Sequence, residues 1–130
     1  LPAYTSYIRR GQMQEAFTNL ANYRIQLEQY YQDNRIYGNT ATSAACGTST
    51  TTALTAANVG GEAKYFDYSC SITTGTNSQN YTVTATGKTG TNVAGYTYTL
   101  TDSGAKATTQ FAGSTATVSC WATKSTSDCS

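Results

Sequence analysis

The sequence predicts an α+β fold in which one long N-terminal α-helix packs on a four-stranded antiparallel sheet. Apolar residues recur every three or four positions up to about residue 37, as on one face of a helix. From residue 65 onward, apolar and polar residues alternate in several short stretches, which is typical of half-buried strands. Thr makes up about a fifth of the 130 residues, which also favours strands. We expect a single domain over residues 1–130.

The helix is predicted over residues 1–37. Pro2 suits a first helical turn, and Asn34 with Gly38 provides stop signals. A helix of this length would be on the order of 50 Å long, more than a domain of this size needs. Its first turns therefore require a partner for their large side chains, which are Tyr4, Tyr7 and Ile8.

Tyrosines are concentrated where the helix is expected to end, in the stretch LEQYYQDNRIYG. Rings between Tyr23 and Tyr37 would fit a seam between helix and sheet, with their hydroxyls at the wet edge. A ligand-stacking role is the alternative.

After a connecting segment over residues 38–64, which is weakly helical around Leu54 to Val59, the sheet is predicted over residues 65–119. Four strands are expected in a meander, because turn-rich tracts separate four alternating stretches. The inward-facing residues begin at Phe66, Tyr81, Tyr96 and Ala116. The helix is the one long amphipathic element available to cover their apolar face.

The four cysteines are Cys46, Cys70, Cys120 and Cys129. An even number in a polar chain, without any C-x-x-C spacing, indicates two disulfides formed outside the cytoplasm. Local pairing, Cys46 with Cys70 and Cys120 with Cys129, is favoured, and two other pairings remain open. The second local pair would close the C-terminal region, residues 120–130, as a displayed contact surface that includes Trp121, Lys124 and Asp128.

The residues argue against an enzyme. The chain has no histidine, which excludes a Cys/His metal site and histidine-dependent nucleophiles, and its seven acidic residues are dispersed. Gly87-Lys88-Thr89 lacks the earlier glycine of a phosphate-binding loop and is predicted to be a hairpin turn. No catalytic, cofactor or metal site is expected. Because the chain starts at Leu1 without Met, we expect an upstream segment that has been removed.

In their order and spacing, LPAYTSYIRRGQMQEA, LEQYYQDNRIY, FDYSC, YTLTDSGAK and SCW resemble the soluble part of a type IV pilin, in the branch of PilE-like and minor pilins. The resemblance implies a long helix laid on an antiparallel sheet, with a disulfide-closed region near the C-terminus. It also implies an upstream apolar half of the helix that anchors the precursor in the inner membrane, with its domain in the periplasm, and later forms the filament core.

The function implied by this resemblance is that of a structural subunit of an extracellular type IV pilus. Its partners would be other pilin subunits, the assembly machinery and the membrane, and its loops would serve adhesion, twitching motility or DNA uptake. Filament contacts would involve Tyr4, Tyr7 and Ile8. The helix-sheet core would involve Phe17, Leu20, Leu27 and either Tyr30 or Tyr31.

Two alternatives concern relatives of pilins. A pilin-like DNA receptor would need a basic patch with aromatic residues, formed by convergence of Arg9, Arg10, Arg24, Arg35, Lys88 and Lys124. A secretion pseudopilin would often have a calcium site near the C-terminus in place of a terminal disulfide. Cys120, Cys129 and the scarcity of clustered Asp in that region weigh against the second alternative.

Overall fold

The computed structural model describes residues 2–38, 40–47, 51–59, 61 and 63–129. One helix is followed by a sheet with a short helix inserted after its first strand. The elements are α1 (Pro2–Asn34), β1 (Ala53–Leu54), α2 (Ala56–Val59), β2 (Phe66–Ile72), β3 (Tyr81–Gly87), β4 (Thr97–Thr101), β5 (Lys106–Phe111) and β6 (Ser114–Val118). The predicted α+β class, with a helix on an antiparallel sheet, is confirmed. Parts of the predicted segments, at residues 1, 39, 48–50, 60, 62 and 130, lie outside the described residues.

All six strands form one antiparallel sheet in sequence order, so the topology is a meander. The expectation of four strands was therefore wrong by two. β1 is only two residues long, too short to show an alternating pattern. β5 reads KATTQF and buries only Thr108 fully, so its alternation is weak.

The hairpin between β5 and β6 also lacks the usual sequence signal. Its two-residue turn places Ala112 at φ 50° and Gly113 at φ 85°. Both residues of a type I′ turn need positive φ, which Asn-Gly or Asp-Gly normally supplies. Because Ala rarely adopts this conformation, the dipeptide did not indicate a turn, and the hairpin was missed.

α1 ends three residues earlier than predicted. Arg35 has φ 64°, a left-handed conformation that stops the helix, and its N–H donates to the Tyr31 carbonyl at 2.6 Å. The chain then turns back, so that the N–H of Tyr37 donates to the Ser78 carbonyl at 2.8 Å, beside the sheet. The rings of Tyr37 and Tyr31 stack with centroids 4.6 Å apart, while Tyr81 meets Tyr37 edge to face at 4.7 Å.

These rings form the seam between helix and sheet. The hydroxyls of Tyr31 and Tyr37 are hydrogen-bonded at its edge, whereas the buried Tyr81 hydroxyl has no partner among the described residues. The Tyr31 hydroxyl donates to Gln79 Oε1 at 2.7 Å, and the Tyr37 hydroxyl donates to Glu28 Oε1 at 2.9 Å. Of the two tyrosines expected at the core, Tyr30 is only half-buried and outside it, and its hydroxyl donates to the Gly38 carbonyl at 3.3 Å. Tyr31, one position on, is the ring that packs against the core.

The core lies between α1 and the sheet. Phe17, Leu20 and Leu27 are buried in it, together with Met13 and Tyr23 from the same helix face. Opposite them, the sheet contributes Phe66, Tyr68, Cys70, Val83, Ala85, Tyr98 and Leu100. Burial of this apolar surface is the main stabilising contribution to the fold.

The Glu15 carboxylate fixes α1 to the start of β2. Its Oε1 accepts the N–H groups of Lys64 and Tyr65, at 2.6 and 3.0 Å. Its Oε2 accepts the Phe66 N–H at 3.2 Å and the Tyr68 hydroxyl at 2.8 Å. Burial, followed by this bond to Glu15, raises the pKa of Tyr68. One carboxylate therefore satisfies three backbone donors where the chain enters the sheet.

Candidate nucleic-acid interface

Both disulfides follow the local pairing. Cys46 and Cys70 join the connecting segment to β2, with a Cα–Cα distance of 5.7 Å. Cys120 and Cys129 close the C-terminal loop, also with Cα atoms 5.7 Å apart. The two bridges hold chain segments against opposite ends of the strand order, because β2 follows the edge strand β1 and Cys120 follows the other edge strand, β6.

Trp121 was expected to be displayed on the C-terminal loop, and this was wrong. It is only 4 % exposed, and its ring stacks on Phe17 of α1 with centroids 4.9 Å apart and planes 7° apart. The indole N–H donates to the Thr99 carbonyl at 2.9 Å, which satisfies its one polar group. Trp121 is therefore the anchor that docks the terminal loop on helix and sheet.

Hydrogen bonds from two strands fix the residues around this anchor. The Thr108 hydroxyl donates to the Cys120 carbonyl at 2.7 Å and accepts the Ala122 N–H at 2.9 Å. The Tyr98 hydroxyl donates to the Ala122 carbonyl at 2.7 Å, and burial raises the pKa of this tyrosine. Beyond Thr123 the loop is exposed and presents Lys124 and Asp128. The inner half of the loop is thus structural and the outer half accessible.

A cleft of about 190 Å³ lies between the N-terminal half of α1 and this outer half. It is lined by Ser6, Arg9, Arg10, Tyr96, Thr123 and Lys124. Arg9 Nε donates to the Asn92 carbonyl at 2.8 Å, and the guanidinium lies over the Tyr96 ring, 5.5 Å from its centroid. Three cations, one aromatic ring and two hydroxyl groups therefore share one cleft.

A second cleft of about 240 Å³ lies further along α1, beside helix residues that follow Phe17 in the sequence. Arg24, Lys106 and Trp121 line it, with apolar contributions from Ile25 and Leu100. The Lys106 ammonium lies 4.4 Å from the centre of the Trp121 ring, and Arg24 donates to the Asp102 carbonyl at 3.2 Å. Here two cations flank the anchoring tryptophan.

The two clefts follow one face of α1. Arg10, Phe17 and Arg24 are spaced seven residues apart, so they lie in nearly the same direction from the helix axis. At 1.5 Å per residue, the two arginines are about 21 Å apart along the axis. We call the surface formed by Arg9, Arg10, Arg24, Lys106 and Lys124 the basic groove.

The basic groove contains five of the eight Lys and Arg residues of the chain, although the net charge is only +1. The nearby Asp102 carboxylate is directed elsewhere, accepting from Asn80 Nδ2 at 2.9 Å and from the Tyr81 N–H at 3.0 Å. Asp128 lies in the exposed part of the terminal loop. The groove is therefore locally positive on a nearly neutral protein.

Only some of the six basic residues considered for a DNA-binding patch lie close together in the structure. Arg9, Arg10 and Lys124 meet in the first cleft, and Arg24 lines the second. Lys88 lies on another part of the surface, 3.9 Å from Asp67, and Arg35 caps the far end of α1. Lys106 was not anticipated, because it begins a strand that was not predicted. The fourteen-residue spacing of Arg10 and Arg24, two steps of seven, is a signal that the sequence does contain.

The predicted filament contacts lie at the start of α1. Tyr4 is 64 % exposed and Tyr7 is 69 % exposed, while Ile8 is half-buried. Within the described ranges, no helix is long and apolar enough to cross a membrane. In the same part of the chain, no group of three or more Cys, Asp or Glu side chains is arranged to hold a metal ion.

Comparison with protein families found one match over residues 2–95, to a family described as "Type IV minor pilin ComP, DNA uptake sequence receptor". Comparison with curated proteins and with solved structures found no match. The matched residues include α1, β1 to β3 and the turn that holds Arg9, and so cover most of the chain. The chain therefore belongs to the type IV minor pilin ComP family.

Proposed function

We propose that this minor pilin is a receptor for double-stranded DNA and binds it through the basic groove. The observation that supports the proposal is the grouping of five cations along one face of α1, on both sides of Trp121. Phosphate contacts from Arg and Lys supply most of the affinity of proteins for DNA. The family description, a DNA uptake sequence receptor, supports the same function.

The length of the basic groove along α1 can be expressed in base-pair steps of a duplex. The 21 Å between Arg10 and Arg24 corresponds to about six base-pair steps at 3.4 Å each. The Ser6 hydroxyl lies beside the cations in the first cleft and is a suitable donor to a phosphate oxygen. The terminal disulfide and Trp121 hold the loop that carries Lys124 next to α1, so this loop needs little reorganisation on binding.

The salt dependence of binding tests this proposal. We would measure the affinity for a fluorescein-labelled 20-bp duplex by fluorescence anisotropy at several NaCl concentrations. If four or five of these cations contact phosphates, the slope of log K against log salt is roughly −3.5 to −4.5, and Lys124→Ala makes it less steep by about 1. Lys88→Ala removes the same charge outside the groove and is the matched control. Absence of binding at low salt, or equal effects of both substitutions, would refute the proposed interface.

We also propose that the subunit is incorporated into an extracellular pilus through the first turns of α1. The exposure of Tyr4 and Tyr7, next to half-buried Ile8, supports this. Such large exposed rings on a helix mark an interaction surface. The precursor would be anchored in the inner membrane by an upstream segment.

Filament incorporation can be measured in the host with the natural gene. Because both rings are exposed, Tyr4→Ala/Tyr7→Ala should leave the melting temperature of the domain unchanged and reduce the amount of subunit in sheared filaments. Ile25→Ala, which alters another exposed apolar residue of α1, is the control. Unchanged recovery of the double variant in the filament fraction would refute the assignment.

A further inference from the structure

Within the proposed DNA-binding function, on which this inference rests, we propose that Arg9 reads a base edge, while Arg10 and Lys124 contact phosphates. The first cleft contains all three cations, but only one of them is held in place by other protein groups. Phosphate contacts position a protein on DNA, whereas hydrogen bonds to base edges determine sequence preference. We therefore assign recognition of a base edge to the restrained guanidinium and contact with phosphates to the unrestrained cations.

Arg9 is restrained at two points. Its Nε donates to the Asn92 carbonyl at 2.8 Å, and its guanidinium lies over the Tyr96 ring at 5.5 Å. The supporting ring is itself fixed, since Tyr96 is 6 % exposed and meets Phe111 edge to face at 4.9 Å.

The turn that provides the carbonyl is also closely packed. The N–H of Ala94 donates to the Thr91 carbonyl at 3.3 Å, and a Cβ added at Gly87 would overlap the Val93 carbonyl. Val93, the residue after Asn92, is fully buried, so the turn that holds Arg9 is anchored in the core.

The restraint leaves one edge of the guanidinium for a ligand. Nε is occupied, and no described residue accepts a hydrogen bond from the two terminal nitrogens of Arg9. Those nitrogens form the planar fork that binds O6 and N7 of guanine in the major groove. A fork that is already oriented loses little conformational freedom on binding and rejects a base with the wrong pattern.

Arg10 and Lys124 differ in this respect. Within the described residues, neither forms an ion pair or a side-chain hydrogen bond, although both line the same cleft. Mobile cations adapt to phosphates of any sequence but do not select a base. Arg9 and Arg10 thus carry the same charge, but only the Arg9 side chain is held by other protein groups. Arg10 is therefore a matched control for Arg9.

Selection from a randomised library tests the assignment. Duplexes of 20 bp with ten randomised central pairs are selected on the wild-type protein, Arg9→Lys and Arg10→Lys, and the bound fractions are sequenced. Because Lys keeps the charge but not the fork, Arg9→Lys should lose a preference for guanine of about tenfold or more at one position. Its salt slope on a fixed duplex should remain that of the wild type, and Arg10→Lys should retain the complete motif.

A second measurement changes the DNA and compares the wild type with Arg9→Lys. Replacing guanine by 7-deazaguanine at the selected position removes the N7 acceptor, so it should weaken binding to the wild type but not to Arg9→Lys. An unchanged motif in Arg9→Lys, the same loss in Arg10→Lys, or insensitivity of the wild type to 7-deazaguanine would overturn the inference. Wild-type binding without any motif would overturn this inference alone, whereas absence of duplex binding would overturn the proposed function as well.

Discussion

Thr108→Val tests whether a single buried hydroxyl holds the C-terminal loop in place. Thr108 lies in β5 and is fully buried. Its hydroxyl donates to the Cys120 carbonyl and accepts the Ala122 N–H, at 2.7 and 2.9 Å. Val replaces the hydroxyl by a methyl group of similar size, so the substitution removes both hydrogen bonds without opening a cavity.

The expected destabilisation follows from the two backbone groups that lose their partner. Ala122 is 0 % exposed, so its N–H has no access to solvent when the hydroxyl is removed. A buried polar group left without a partner costs about 1–3 kcal/mol, which gives about 2–6 kcal/mol for two such groups. We expect the lower half of this range, because Cys120 is only half-buried. This is comparable to the roughly 2.7 kcal/mol expected from the chain entropy of a ten-residue disulfide loop.

Urea unfolding, followed by far-UV circular dichroism and by fluorescence of Trp121, measures this effect. Trp121 is the only tryptophan of the chain, so its emission reports on docking of the terminal loop. Thr109→Val is the control, because Thr109 is exposed on the next position of β5 and its replacement should change stability by less than about 0.5 kcal/mol. If Thr108→Val unfolds at the wild-type urea concentration with the same slope, the hydroxyl does not hold the loop and the reasoning is wrong.

Three further predictions concern the Glu15 carboxylate, the buried Tyr23 and the terminal disulfide. Glu15→Gln should lower the free energy of unfolding by about 1–3 kcal/mol, because it weakens the hydrogen bonds that the carboxylate accepts at the start of β2. Gln14→Ala, at an exposed position, is the control and should be nearly neutral. Equal stability of the two variants in urea would contradict this prediction. Burial raises the pKa of Tyr23 from 10.0 to about 12, so the unfolded chain ionises first above pH 10 and stability falls as pH rises towards 12. Tyr23→Phe should remove about 1.4 kcal/mol of this loss at pH 11 and none at pH 8, and a pH-independent difference from the wild type in urea would refute the assignment. Replacing both Cys120 and Cys129 by Ser should lower stability by about 2.7 kcal/mol while far-UV circular dichroism stays native, since Trp121 remains packed on Phe17; loss of the native spectrum would show that the bridge is needed for folding.

The elements with a clear local pattern could be predicted from the sequence. The apolar spacing of α1 and the alternation in β2 each depend on residues within one element. The helix, this strand and the buried face of each could therefore be predicted. The family resemblance, stated from short stretches in order, agrees with the family match. Elements without such a pattern were missed, notably β5, where one buried threonine is the only strong sign of an inner face.

The sequence by itself determined the α+β class, the covering helix and the local pairing that the cysteines favour, because these follow from short-range periodicity and spacing. Its resemblance to type IV pilins came from short stretches of residues in a particular order. Only the tertiary structure decided that Trp121 is buried, that Tyr31 rather than Tyr30 joins the core, and that five cations line one groove. The physical reason is the distance along the chain between the partners. Arg9 and Asn92, for example, are 83 residues apart in the sequence and form a hydrogen bond only after the chain has folded. A local sequence pattern contains no information about such a contact.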